Sequence, residues 1–165
     1  MKVAEVMTEH PLTAQLDDTI GQADQIMDEA GIRQLPVVRD KELVGILTDR
    51  DIRSFLSGRL LGTPQEREKA MNTRVSAVMT SNPISLAPDD ELREAIELFI
   101  EEKMGGIPVV DDEEGLVGIV TYVDILRCFL DRLQEDPARW RRPYGRFFRR
   151  ERDALAGASQ GDPAQ

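Results

Sequence analysis

Two stretches of this chain set a glycine, a threonine and an aspartate at identical spacing: Gly45-Ile46-Leu47-Thr48-Asp49-Arg50-Asp51 and Gly118-Ile119-Val120-Thr121-Tyr122-Val123-Asp124. The apolar pair before each Thr reads as the end of a β-strand and the residues after it as the start of a helix, so Thr and Asp share the first helical turn. A carboxylate there can accept both hydroxyls of a ribose, while the Thr hydroxyl and the free helix N–H groups suit a phosphate. T-x-x-D is also the spacing of a capping box, in which the two side chains only satisfy the helix's own orphan N–H groups. The chemistry of the motif leaves both readings open. Other constellations are missing: with one histidine, His10, and one cysteine, Cys128, neither a Cys/His metal cluster nor an internal disulfide can form within the chain. G-x-S-x-G, H-E-x-x-H, Walker and EF-hand patterns do not occur, so no catalytic or metal role is assigned.

The elements that must position the motif are themselves duplicated. Val6-Met7-Thr8 and Pro11 return as Val78-Met79-Thr80 and Pro83, and Leu35-Pro36-Val37-Val38 returns as Ile107-Pro108-Val109-Val110, all at one offset. After one inserted residue near Glu113-Glu114, Leu43–Thr48 matches Leu116–Thr121. Each repeat reads β-α-β-β-α. The first helix has a stripe of Ile20, Ala23, Ile26, Met27 and Ala30 with Gly31 to stop it, and its counterpart has Leu92, Ala95, Ile96, Phe99 and Ile100. Two short β-rich runs then form a hairpin, turning at Arg39–Glu42 in the first repeat and at Asp111–Gly115 in the second. A closing helix follows each: Asp49 to about Ser57 with Ile52, Phe55 and Leu56 inward, and Tyr122 to about Gln134 with Ile125, Leu126, Phe129 and Leu133 inward. Met7 and Met79 are read as packing residues, and Cys128, on the inward stripe, as a buried inert thiol.

A repeat of about 60 residues is too small to stand comfortably alone, so the two apolar sheet faces are expected to pack on each other as a pseudo-two-fold α/β pair. The boundaries read as 1–58 for the first repeat, 59–73 for a linker containing a short helix in QEREKAM, 74–134 for the second repeat and 135–165 for a tail. The formal net charge of −10 argues against general nucleic-acid binding. Residues 139–152, RWRRPYGRFFRRER, hold seven Arg against one Glu, so this stretch carries +6 and the remainder −16. Its aromatic content favours docking onto a protein partner over simple solvation, with contact to nucleic acid or a membrane as the rival. The final ASQGDPAQ is compositionally a disordered end. With no long apolar run and no signal-like segment, a cytoplasmic location is expected.

The order V-M-T…P, amphipathic helix, h-P-V-V, h-V-G-h-h-T-x-x-D-h, present twice over about Met1–Leu133, resembles the cystathionine-beta-synthase (CBS) repeat, paired as in a Bateman module. The resemblance implies a non-catalytic module that binds AMP, ADP or ATP, or an S-adenosyl compound or NAD, as a regulatory ligand and signals adenylate status to a partner, generally as a homodimer. It implicates Thr48, Asp51, Thr121 and Asp124 in gripping ribose and phosphate. It also implicates Ile32, Arg33, Gln34 and Leu35, with Met104, Gly105, Gly106 and Ile107, in holding adenine. A structural dimer without functional sites and an adaptor acting through its basic tail are the competing readings. The repeats diverge where Arg33-Gln34 becomes Gly105-Gly106. Arg33, Arg50 and Arg53 are therefore expected to make a first cleft suited to charged nucleotides, and the glycine pair with Arg127 a second cleft suited to less phosphorylated ones. The alternative is that Arg33 and Arg50 pair with surface carboxylates.

Overall fold

The computed structural model describes residues 1–57 and 62–135. In chain order the elements are β1 (Thr8–Glu9), β2 (Ala14–Gln15), α1 (Ile20–Ala30), β3 (Gln34–Arg39), β4 (Glu42–Thr48) and α2 (Asp49–Leu56). A linking helix α3 (Pro64–Met71) follows, then β5 (Thr80–Ser81), α4 (Leu92–Glu101), β6 (Gly106–Val110), β7 (Leu116–Thr121) and α5 (Tyr122–Glu135). Met1–Cys128 makes one compact unit, and the chain from Phe129 is a second, of which the end of α5 is the described part. The Arg and aromatic stretch 139–152, the final segment expected to be disordered, and residues 58–61 lie outside the described residues. No helix among the described residues is long and apolar enough to cross a membrane.

Local chemistry accounts for the boundaries. Thr19 caps α1, accepting from the Gln22 N–H while the Gln22 side chain accepts from the Thr19 N–H at 2.8 Å. The QEREKAM helix forms as α3, with Thr63 as its cap and Pro64 in its first turn. The Thr63 N–H and hydroxyl both bond the exposed Glu66 carboxylate, which holds its pKa below the ordinary glutamate value. The first hairpin turns on Asp40 and Lys41, both at positive φ (49° and 80°), which is the pattern of a two-residue type I′ turn. In the second hairpin, Asp111 Oδ1 accepts from the N–H groups of Glu113 and Gly115 instead.

Both hairpins carry a register shift at the same place, between Val37 and Val38 and between Val109 and Val110. Alternation along β3 sends Leu35 and Val37 into a first core with Ile20, Ala23, Met27 and Ile52. Ile107 and Val109 enter a second core with Leu92, Ala95 and Val120. Pro36, Val38, Pro108 and Ile119 point the other way and are buried as well, because each sheet's far face is covered by the other sheet. The hairpins also touch at their tips, where the Leu43 N–H bonds the Glu114 carbonyl and the Leu116 N–H bonds the Lys41 carbonyl.

The β-α-β-β-α order holds within each repeat, but the opening strands cross over. β1 pairs antiparallel with β7, giving a sheet of order β1-β7-β6, and β5 pairs antiparallel with β4, giving β2-β3-β4-β5. Val3 is therefore buried in the second core and Val75 in the first, each inside the other repeat's hydrophobic cluster. Lys2 reinforces the crossing with an ion pair to Glu91 at 2.8 Å, which raises the lysine pKa and lowers the glutamate's.

The apolar stripes are not all covered. Ile52 and Leu56 of α2 are buried as expected and Phe55 packs at the edge of the first core. Leu126 and Phe129 of α5, expected inward, are 59% and 52% exposed, and Ile100 of α4 is 70% exposed. The second core is smaller and is closed by Ile125 without them. Cys128 is correspondingly half-buried rather than enclosed, with its Sγ 3.6 Å from Met1 Sδ.

Candidate functional site

Each T-x-x-D motif folds as a capping box. The Thr48 N–H and hydroxyl both donate to Asp51 Oδ2, at 2.9 and 2.6 Å, and the Asp51 N–H donates back to Thr48 Oγ1 at 3.1 Å. Thr121 and Asp124 reproduce this at 2.8, 2.6 and 3.3 Å. The capping and ligand readings are compatible, because Oδ2 of each aspartate does the capping. The other carboxylate oxygen, Oδ1, makes no hydrogen bond among the described residues and is left as an acceptor. Both motifs line cavities.

The first cavity, of about 570 Å³, has Thr48, Asp51, Arg50 and Arg53 on one side. Facing them are Glu102–Gly106 and the segment Thr80, Asn82, Pro83, Ile84, all from the second repeat. The second cavity, of about 600 Å³, sets Thr121, Asp124 and Arg127 against Ala30–Gln34 and the segment Thr8, His10, Pro11, Leu12 of the first repeat. Both volumes lie within the roughly 300–1,000 Å³ of small-molecule sites. Among the described residues no group of three or more His, Cys, Asp or Glu side chains is placed to hold a metal ion.

The grouping read from the sequence holds in part: Arg33, Arg50 and Arg53 share the first cavity with Thr48 and Asp51, and Gly105 and Arg127 share the second with Thr121 and Asp124, but Gly106 lines the first cavity only. Ile32 faces Thr121 and Asp124, and Met104 and Gly106 face Thr48 and Asp51, so each cleft draws its walls from both repeats. The crossed strands are the physical reason: β5 lies beside β4 and brings Thr80–Ile84 to the first motif, as β1 beside β7 brings Thr8–Leu12 to the second. Leu35 and Ile107 line neither cavity; their side chains are fully buried in the helix-side cores. Arg33, Gln34, Gly105 and Tyr122 line both.

The arginines are largely uncommitted. Arg53 is held by Asp49 at 2.7 Å, whereas Arg33, Arg50 and Arg127 make no ion pair among the described residues. Lys103, in the first cavity, was missed in the sequence, and it too makes no ion pair among the described residues. It sits at φ 54°, in the left-handed region, where its counterpart in the first repeat is Gly31 at φ 64°. A lysine pays for that conformation where glycine does not. Lys103→Gly is therefore expected to raise stability by about 0.5–1 kcal/mol in denaturant unfolding, while lowering the affinity of the first cleft for a phosphorylated ligand. Loss of stability would show that φ is not strained there. The Thr8–Leu12 and Thr80–Ile84 walls were also missed. Their signal was the duplicated apolar residue after Pro, because Leu12 and Ile84 are 54% and 47% exposed and face the cavities instead of a core.

Comparison with known proteins agrees with this architecture. The CBS domain family model matches twice, over residues 3–58 and 75–131. The chain is 35% identical over 147 residues to the uncharacterized protein MJ1225 of Methanocaldococcus jannaschii, covering 82% of this chain and 51% of that one. It is also 35% identical over 127 residues to the same organism's inosine-5′-monophosphate dehydrogenase, covering 76% of this chain and 23% of the enzyme. It thus spans about half of the first relative and about a quarter of the second. The crystal structure of CBSX2 in complex with AMP superposes with a TM-score of 0.69 at 26% identity, covering 79% of this chain and 97% of that one. The CBS domain pair of MJ0100 in complex with 5′-methylthioadenosine and S-adenosyl-L-methionine superposes at 0.67 and 30% identity, covering 78% and 99%. With two matched repeats, two crossed sheets and a T-x-x-D cleft on each, the chain belongs to the CBS-domain family as a tandem pair.

Proposed function

We propose that this chain is a non-catalytic regulatory module that binds adenosine-containing ligands, of the AMP, ADP or ATP class, in its two inter-repeat clefts. The carrying observation is that Oδ1 of Asp51 and of Asp124, each at the wall of a ligand-sized cavity, makes no hydrogen bond among the described residues, and that the guanidinium groups of Arg33, Arg50 and Arg127 nearby make no ion pair among them. A carboxylate oxygen beside a helix start accepts ribose hydroxyls, the arginines meet phosphate, and the exposed Leu12 and Ile84 supply apolar surface for a base. Related CBS pairs crystallised with AMP, 5′-methylthioadenosine and S-adenosyl-L-methionine support the same ligand class. Because each cleft is walled by both repeats, a ligand that fits one packing of the repeats better than another shifts the chain toward it, and a partner reads that shift. The exposed Ile96, Ile100 and Leu126 suit a homodimer formed through the second repeat's helices.

Thermal unfolding in the presence of adenosine, AMP, ADP, ATP, NAD or S-adenosylmethionine tests the reading. A ligand at 100 times its Kd stabilises the native state by about 2.7 kcal/mol, so at least one of the six is expected to raise Tm by several degrees. Light scattering on the same samples is expected to give a dimer mass. Unchanged Tm with all six at millimolar concentration would leave a structural module with no functional sites, and a monomer mass would remove the dimer.

A further inference from the structure

Four residues belong to the walls of both cavities, and of these Arg33 alone carries a charge. Its backbone is fixed at the start of the first motif's helix, where the Asp49 N–H donates to the Arg33 carbonyl at 3.1 Å. Its side chain is exposed and makes no ion pair among the described residues, although the protein carries 31 acidic side chains. The pseudo-symmetry that gives each cleft its own threonine and aspartate would give each its own arginine too, but the counterpart of Arg33 is Gly105. In the neighbouring pair that space is taken by a side chain of the first repeat. Gln34 lies over the glycines and fills the space their side chains would need: a Cβ at Gly106 would stand 2.7 Å from Gln34 Oε1, and one at Gly105 would overlap the Gln34 amide nitrogen. One guanidinium therefore stands between two clefts.

Resting on the reading of both clefts as adenosine-ligand sites, we propose that Arg33 couples them, so that a phosphorylated ligand in one cleft weakens binding of a phosphorylated ligand in the other. A guanidinium that turns its donors to the phosphate on one side is no longer available to the other. The second phosphate then enters with one cation fewer and beside a like charge. Adenosine makes no demand on Arg33, so two adenosines bind independently. The coupling is reciprocal, whichever cleft fills first.

Titration calorimetry with AMP and with adenosine separates coupling from mere inequality of the clefts. Asp51→Ala and Asp124→Ala each leave one working cleft and report its microscopic constant. In the wild type, the second AMP is expected to bind about 5- to 20-fold more weakly than the weaker of those two constants, while the adenosine steps reproduce both. In the Arg33→Ala background, wild-type and single-cleft AMP constants are expected to coincide, with the fold confirmed by an unchanged unfolding transition. AMP steps equal to the single-cleft constants, an equal depression for adenosine, or a depression that survives Arg33→Ala would each overturn the coupling. If adenosine and AMP both fail to bind the wild type, the functional reading falls and takes the coupling with it.

Discussion

Alanine at Asp51 is expected to weaken an adenosine ligand in the first cleft by about 1–3 kcal/mol, roughly 5- to 150-fold, and alanine at Asp124 to do the same in the second. The magnitude is that of losing hydrogen bonds from ribose hydroxyls to an ionised carboxylate. The same substitution also removes the acceptor of two short bonds from Thr48 or Thr121, so it carries a helix-capping cost of about 0.5–2 kcal/mol in stability. Two effects from one side chain need separating, and asparagine does this. Its carbonyl can still accept from the Thr N–H, preserving most of the cap, whereas its amide lacks the negative charge that strengthens a bond from a hydroxyl. Asp51→Asn is thus expected to keep near-wild-type stability and still lose affinity. Calorimetric titration and denaturant unfolding of the three variants check this. A pair of alanine variants that lose stability while keeping full affinity would reduce both motifs to capping boxes.

How far the sequence reveals this site depends on the range of the interaction concerned. The helices and hairpins are legible because their signals are local: the apolar stripe from Ile20 to Met27, Gly31 after it, the β-rich runs on either side of Asp40-Lys41. Duplication makes the pairing of repeats legible too, since two copies of T-x-x-D imply two equivalent places. The crossing of β1 and β5 is not legible. Each is two residues long, and nothing in Thr8-Glu9 distinguishes β7 as its partner from β4. That one non-local pairing decides which walls face which motif, so proximity in sequence groups Arg33 with Thr48 and Gly105 with Thr121, as the cavities do, but does not show that each also lines the other cleft. The exposure of Leu126 and Phe129 escapes for a related reason. A 3.6-residue stripe shows that a helix has an apolar face, but the width of the face covered depends on the size of the core beneath it.

The glycine that opens each G-h-h-T-x-x-D motif has its reason in the same crossing. A Cβ built on Gly45 would run into Met79 Sδ and stand 3.0 Å from the Thr80 carbonyl oxygen; on Gly118 it would meet Met7 Sδ and, at 3.2 Å, the Thr8 carbonyl oxygen. Gly45 pairs with Ser81 of β5, and Gly118 with Glu9 of β1, so the missing side chain is what lets a strand from the other repeat come in with its methionine laid across the hairpin. Gly45→Ala is accordingly expected to destabilise the protein by about 1–3 kcal/mol through overpacking. Met79→Ala alone, at a half-buried position, is expected to cost about 1–2 kcal/mol, below the range for a fully enclosed methionine. Combined, the two should cost less than their sum by about 0.5–2 kcal/mol, because alanine at 79 vacates the space the new Cβ requires. The residual penalty comes from the Thr80 carbonyl, which cannot withdraw without breaking the β4–β5 pairing. Since Val75 and Met79 pack in the first core while Val3 and Met7 pack in the second, both repeats should still unfold in a single transition, shifted to lower denaturant. Denaturant titration of the wild type, both single variants and the double variant reads the coupling directly. Strict additivity, or a Gly45→Ala protein as stable as the wild type, would mean that the methionine is free to move aside and that the glycine serves some other need of the strand.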